Sequence, residues 1–219
     1  MDIAELLGRA ELFDTCSPEE LASLVSGART VELQRNDLVF AEDDEAAHLY
    51  IVAAGRVAIS RASPDGRESL LALMEPDDLF GEMSLFDHGT RSAQARALEQ
   101  SVIVEVPYRL ISELYERHPT LLHRVVGLLA QRLRTVDEAL TDAMFLDVPG
   151  RTAKRLLELS GGQDSFELPI TQEELAGMVG ASRERVNKAL SSFSRLGWVR
   201  VEQGTYTILR REALTLRSR

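Results

Sequence analysis

"TQEELAGMVGASRERVNKALSSFSRLGWV", Thr171 to Val199, decides the fold of the C-terminal part of this chain and with it the class of function. Thr171 and Glu174 stand at the spacing of a capping box, each side chain taking the other residue's backbone N–H. Leu175, Ala176 and Val179 then fall on one inward face. Gly180 supplies a turn and Ser182 caps a second helix. In that helix Val186, Ala189, Leu190 and Phe193 share one face, while Arg183, Glu184, Asn187 and Lys188 project from the other. After Gly197 ends it, "WVRVEQGTYTIL" reads as a hairpin turning near Gly204, and the whole reads as a winged helix-turn-helix. Arginine can donate two bonds to guanine O6 and N7, glutamate can accept from cytosine N4, and lysine serves guanine or phosphate. The polar face therefore fits a major groove. Its alternative is a solvated helix face, against which cap, turn and wing all agree.

Towards the N-terminus, "FLDVPGR" marks a hinge, because Pro149 cannot continue a helix and Asp147 can cap a new helical segment, expected over Arg151 to Ser160. Before it, from Pro119 on, Leu122, Val126, Leu129, Leu133, Val136, Leu140 and Ala143 recur at alternating steps of four and three, a coiled-coil seam. Leu121, Val125 and Leu128 form a second apolar stripe for the chain's own core. One helix cannot bury both stripes on one small domain, so pairing with an identical helix across a two-fold axis is expected. A core helix with a wide apolar face is the alternative.

The first half opens with a helical segment, Pro18 to Ala28, and then turns to short β-type runs: "TVELQ", "LVFAE", "LYIVAA", "RVAIS", "SLLALM" and "SVIVEV". Turn signals separate them, notably "SPDGRE" at Ser63 to Glu68 and "EPDD" at Glu75 to Asp78. That spacing predicts an antiparallel roll or sandwich. Within it lies "FGEMSLFDHGTRSA", Phe80 to Ala93. Gly81 lets backbone approach a ligand, and the N–H groups from Met83 to Leu85 can face an anion. Glu82 offers an acceptor for a sugar hydroxyl, while Arg91 and Ser92 supply a cation and a hydroxyl for a phosphate. A sugar hydroxyl beside a phosphate describes a nucleotide. An incidental surface Glu and Arg pair is the alternative.

Composition sets the bounds. The 219 residues carry a net charge of −10, yet up to Leu146 there are 13 Lys plus Arg against 26 Asp plus Glu, and from Asp147 onward 12 against 9. The acidic excess is thus confined to the first part, leaving the second as the candidate for binding a polyanion. No basic leader or long apolar run opens the chain, so a cytoplasmic, non-membrane protein is expected. Cys16 alone cannot form an internal disulfide, a structural zinc site or an iron–sulfur site, and reads as a small buried hydrophobe. His48, His88, His118 and His123 form no ligand cluster, and no GxxxxGK[ST], GxSxG or HExxH occurs. Neither a prosthetic group nor an enzyme is expected.

On these residues the chain resembles the cyclic AMP receptor protein (CRP/FNR) superfamily of transcription regulators. "FGEMSLFDHGTRSA" looks like its phosphate-binding cassette and "QEELAGMVGASRERVNKAL" like its DNA-reading unit. The resemblance implies an α+β chain: an effector domain over 1–118 built on a cyclic-nucleotide-binding β-roll of the double-stranded β-helix type, a dimerisation helix over 119–146, and a winged helix-turn-helix over 147–219. It implies that Glu82 holds a ribose 2′-hydroxyl and that Arg91 and Ser92 hold a cyclic phosphate, with Leu71, Gly81, Met83, Ser84, Val136 and Asp137 completing the ligand set. Arg183, Glu184 and Lys188 would read a TGTGA-like half-site, with Thr171, Gln172, Ser182, Arg185 and Asn187 as phosphate or flanking contacts. Implied partners are double-stranded DNA, a second copy and RNA polymerase; the implied effector is cyclic AMP. A cyclic-nucleotide-binding regulatory subunit of an enzyme is the remote rival. The chain departs from the pattern at Val136 and Asp137, where nucleotide-responsive relatives typically carry Thr followed by Ser or Asn. An ionised Asp137 could hold adenine's exocyclic amine or the N1 and N2 hydrogens of guanine, which leaves cyclic GMP, another nucleotide or no ligand open. A second departure is the acidic "EDDEAAH", Glu42 to His48, where relatives usually have a glycine-containing turn.

Overall fold

The structure, a computed structural model, describes residues 2–62 and 68–219, so most of the "SPDGRE" turn lies outside the described residues. Two compact units emerge, Met1–Arg61 with Leu71–Leu133, and Ala62–Leu70 with Arg134–Arg219.

The first unit begins with helices α1 (Ile3–Arg9) and α2 (Pro18–Val25). The second of these starts on a capping box, the Glu20 N–H donating to Ser17 Oγ and the Ser17 N–H to the Glu20 carboxylate. It stops three residues short of the expected Ala28. The strands are β1 (Arg29–Leu33), β2 (Leu38–Phe40), β3 (His48–Ala54), β4 (Val57–Ala62), β5 (Glu68–Met74), β6 (Leu79–Phe80), β7 (Gln94–Ala97) and β8 (Ser101–Pro107), with the short helix α3 (Met83–Asp87) between β6 and β7. They form two four-stranded sheets, ordered β1-β8-β3-β6 and β2-β7-β4-β5. The pairs β1–β8, β8–β3, β3–β6, β2–β7 and β7–β4 are antiparallel.

Strands β3 and β8 carry apolar residues on both faces because successive side chains alternate sides and both sides are covered; the charge inside β8, Glu105, is paired with Arg29 at 2.8 Å. Leu49 and Ile51 of β3 and Val104 and Val106 of β8 pack into a core shared with α1 and α2. Tyr50 and Val52 of β3 and Ile103 of β8 face a second core with Leu33, Phe80, Ala95 and Ala97. Cys16 packs half-buried against the first core, and burial pushes its thiol up to about 11. Helix α4 (Tyr108–Arg117) and a 3-10 turn at Pro119–Leu121 lead into the long α5 (Leu122–Phe145). Leu121, Val125 and Leu128 are buried in the first core. By contrast, Leu122, Val126, Leu129, Leu133, Val136, Leu140 and Ala143 are exposed along a neighbouring stripe of α5.

In the second unit, Asp147 accepts the Gly150 N–H at 2.9 Å and caps α6 (Val148–Leu159). This helix starts three residues earlier than the sequence suggested, because proline is tolerated in a first turn, where its missing N–H is not needed. Next come β9 (Ser165–Glu167), α7 (Gln172–Val179), α8 (Arg183–Arg195), β10 (Val199–Glu202), β11 (Thr205–Ile208) and α9 (Arg211–Arg217). The three strands pair in the order β10-β11-β9, and α9 packs on α6. No helix among the described residues is long and apolar enough to cross a membrane.

Candidate ligand pocket and DNA-reading face

Gly81 directly follows β6 with φ +76°, a conformation that side chains disfavour. A Cβ there would meet Arg91 Nη1 at 2.9 Å and the Tyr50 ring at 3.2 Å. Glycine is thus required twice over. The next residue, Glu82, is fully buried, and neither carboxylate oxygen accepts a hydrogen bond. Arg132 Nε of α5 lies 3.2 Å from Oε1, close enough for ionic attraction but outside hydrogen-bond geometry. Arg132 Nη2 instead donates to the Leu79 carbonyl at 2.8 Å. Burial pushes the Glu82 carboxyl above the ordinary carboxylate range, opposed first by Arg132, next by its own nearby backbone N–H and last by Arg91.

Arg91 is only 3% exposed. Its Nη1 donates to the Gly81 carbonyl at 2.7 Å and to the Tyr108 hydroxyl at 2.9 Å, and Nη2 donates to the His48 carbonyl at 2.7 Å. Phe40 lies beneath its guanidinium carbon, 4.2 Å from the ring centroid. Its buried Nε has no partner. The acidic loop brackets the same residue through backbone alone: the Asp43 N–H donates to the Arg91 carbonyl and the Arg91 N–H to the Asp44 carbonyl, each at 2.9 Å.

Gly81, Glu82 and Arg91 are therefore gathered against the interior aromatic cluster of Phe40, Tyr50 and Phe80. Ser84 is buried, but its hydroxyl is committed to the Thr90 carbonyl at 3.0 Å. Ser92 is exposed, with Oγ 3.8 Å from Met83 Sδ. Leu71, Val136 and Asp137 are exposed, Leu71 on β5 and the other two on α5. Sequence reasoning missed Arg132, Tyr108, Phe40 and the His48 carbonyl. Arg132 could have been found, since it precedes Val136 by one turn on the same helix. The carbonyl carried no signal in the sequence.

A buried carboxylate without hydrogen bonds destabilises the fold around it. At neutral pH Glu82→Gln should raise the melting temperature by about 2–4 °C, corresponding to roughly 1 kcal/mol for a chain of this size. The sign comes from the raised folded-state pKa, which makes ionisation costly to the native state as pH climbs through it. Below the ordinary glutamate pKa both side chains are neutral and the difference should vanish. Scanning calorimetry at pH 7.5 and pH 4 checks both; a lower melting temperature at pH 7.5 would mean that attraction to Arg132 outweighs desolvation.

In the second unit the Thr171 and Glu174 capping box is formed, with the Glu174 N–H donating to Thr171 Oγ1 at 3.2 Å and the Thr171 N–H to the Glu174 carboxylate at 2.7 Å. Gly180, at φ +66°, ends α7 in the left-handed conformation, and Ser182 Oγ accepts the Arg185 N–H at the start of α8. Arg151 of α6 donates to the Val179 and Leu146 carbonyls at 2.7 and 2.6 Å, holding the turn in place. Val186, Ala189, Leu190 and Phe193 are buried, and Trp198 stacks on Phe193 at 5.6 Å between centroids. This leaves Arg183, Glu184, Arg185 and Lys188 exposed at the N-terminal half of α8, with Asn187 and Gln172 half-buried. Thr171 and Ser182 are exposed caps. Arg185 and Lys188 line one groove of about 550 Å³, together with Arg195 and Arg217, while Gln172 and Asn187 line another of about 460 Å³.

Residues 30–118 match the cyclic nucleotide-binding domain model, and residues 150–217 match the Crp-like helix-turn-helix domain model. Over 98% of its length the chain is 40% identical to a CRP-like cAMP-activated global transcriptional regulator of Mycobacterium tuberculosis, covering 99% of that protein. It is 36% identical to the cyclic AMP receptor protein of Thermus thermophilus, with 94% of each chain covered. Among solved structures, that of the c-di-GMP responsive global regulator CLP of Xanthomonas campestris superposes with a TM-score of 0.76 at 25% identity, over 88% of this chain and 99% of that one. With an effector-type β-roll ahead of a Crp-like reading head, this chain belongs to the CRP/FNR family of transcription regulators and is not an enzyme.

Proposed function

We propose that the chain works as a homodimer that binds a two-fold symmetric DNA site and is switched by cyclic AMP. Residues 1–118 form the effector domain, 119–146 the dimerisation helix and 147–219 the DNA reader. The observation that carries the ligand reading is the pairing of a fully buried, hydrogen-bond-free Glu82 with a buried Arg91 whose Nε is unpartnered. An acceptor and a donor left open in one interior suit a hydroxyl beside a phosphate. The exposed apolar stripe of α5 supports the dimer. Relatives activated by cAMP support the choice of nucleotide. Ligand binding shifts an existing equilibrium only if it favours the DNA-competent arrangement. Half-sites then lie about 34 Å apart, one helical turn. RNA polymerase is the expected downstream partner, and the cytoplasm the expected compartment.

Asp137 favours a second reading. Its carboxylate can accept from guanine N1 and N2 together, whereas adenine offers it only the exocyclic amine. Calorimetry with cyclic AMP and cyclic GMP, repeated on Asp137→Asn, separates the two. A gel shift on a TGTGA palindrome with and without nucleotide tests the switch; equal binding in both would show a regulator that is active without ligand. In the same assay Arg183→Ala should cost about 1–3 kcal/mol at its guanine and flatten preference at that position. Equal losses on specific and random DNA would contradict base reading.

A further inference from the structure

Both terminal nitrogens of the guanidinium offered to a ligand phosphate are already in use, and Nε alone is open. Three neutral acceptors hold the group: two are backbone carbonyls, at Gly81 after β6 and at His48 where β3 starts, and both are fixed by the sheet. The third is the Tyr108 hydroxyl, which itself donates to the same Gly81 carbonyl and so closes a triangle of Arg91, Tyr108 and Gly81. Tyr108 is the first residue of α4, and its backbone is pinned by donation to the Ala47 carbonyl at 2.8 Å. Its ring is only partly buried and lies 5.8 Å from the Arg91 guanidinium carbon. Of the three partners it alone can leave by a side-chain rotation.

We infer that Tyr108 is the residue that sets the pocket's affinity for a phosphate-bearing ligand, its hydroxyl holding Arg91 inward in competition with the ligand's phosphate. This rests on the cyclic-nucleotide reading of the site for the identity of the ligand. A phosphate bound by arginine takes two parallel N–H groups of one edge, and charge-assisted bonds of that kind outweigh bonds to neutral acceptors. The phosphate therefore wins the contest but must first reach a side chain that is 3% exposed. Only the fraction of molecules with the hydroxyl swung away is competent, and the apparent dissociation constant is raised by that fraction.

Tyr108→Phe keeps the ring and removes the hydroxyl. Titration of the full-length protein with cyclic AMP and cyclic GMP should show about tenfold tighter binding by the variant, matching the loss of one hydrogen bond to a charged group. The gain should appear in the association rate, because what is removed is a barrier to entry. Unchanged or weaker affinity would overturn the inference, and weaker binding would mean that the hydroxyl touches the ligand instead. Hydrogen exchange of the Arg91 guanidinium, tracked by NMR without nucleotide, gives a readout independent of the ligand. It should be faster in the variant, and equal exchange in both proteins would overturn the latch whatever binds. If neither protein binds either nucleotide, the reading of the ligand fails, and the exchange measurement alone decides the role of Tyr108.

Discussion

Leu133→Glu is expected to leave the protein monomeric at micromolar concentration and to weaken binding to a palindromic site at least 100-fold, on the order of the avidity two linked readers supply. The reason lies in what α5 leaves uncovered. Leu133, Val136 and Leu140 are 61%, 61% and 58% exposed, Val126 is 64% exposed, and Met144 prolongs the stripe at 69%. Monomeric soluble proteins seldom present a continuous apolar band of that kind. Covering a half-exposed leucine or valine yields about 1 kcal/mol, and association costs about 4–15 kcal/mol in lost freedom of motion. The proposed dimer would therefore stand on the whole stripe from both chains, with little to spare. By two-fold symmetry one substitution places two carboxylates in the seam, and desolvating them costs several kcal/mol more. Analytical ultracentrifugation and a gel shift read the two effects. Glu138→Lys, on the outer face of the same helix, should change neither; a Leu133→Glu protein that still sediments as a dimer would refute the seam.

The reading head was legible because its determinants are local. A capping box spans three residues, a left-handed glycine acts on its own turn, and Ser182 caps a helix two positions beyond Gly180. Each is fixed by chemistry within a few bonds, so the sequence pattern and the fold coincide there. Strand β7 was invisible for the opposite reason. "QARA" has no β-branched residue, and it is a strand because β2 and β4, distant in sequence, supply its partners. The two-residue β6 and the short β9 are likewise created by their neighbours. The pocket divides along the same line. Gly81, Glu82 and Arg91 could be named from residue type and spacing, while Arg132 meets Glu82 across fifty positions of chain and in the sequence is one cation in line with the apolar residues Val125 and Leu128 of a long helix. The acidic loop drew notice for its charge, but it acts on Arg91 through backbone N–H and C=O groups, which no side-chain pattern reveals.

Replacing Arg91 separates the two roles that burial has given it. As a structural residue it satisfies the Gly81 and His48 carbonyls and covers Phe40. As the proposed ligand residue it would be the cation that comes from the cassette itself. Arg91→Ala removes both, and truncating a buried, hydrogen-bonded charge typically costs about 2–5 kcal/mol in binding, so cyclic nucleotide affinity should fall roughly 30-fold to several thousandfold. The same change orphans the His48 carbonyl, leaves the Gly81 carbonyl to Tyr108 alone, and should lower the melting temperature, which by itself could mimic a loss of function. Arg91→Lys resolves the ambiguity. An ammonium can still reach a carbonyl but cannot present two parallel donors or lie flat on the Phe40 ring. If the residue is a phosphate ligand, Arg91→Lys should weaken nucleotide binding at least about tenfold, in line with the loss of a bidentate charge-assisted contact, with a smaller loss of stability than Arg91→Ala. If it is only a core residue, affinity and melting temperature should fall in proportion across both variants, and nucleotide should stabilise whatever fraction stays folded. Tyr108→Phe should move affinity the opposite way at the same guanidinium, so measured together the three variants fix the sign as well as the size of each contribution: on the proposed reading the arginine should pull the phosphate in and the tyrosine should hold the arginine back.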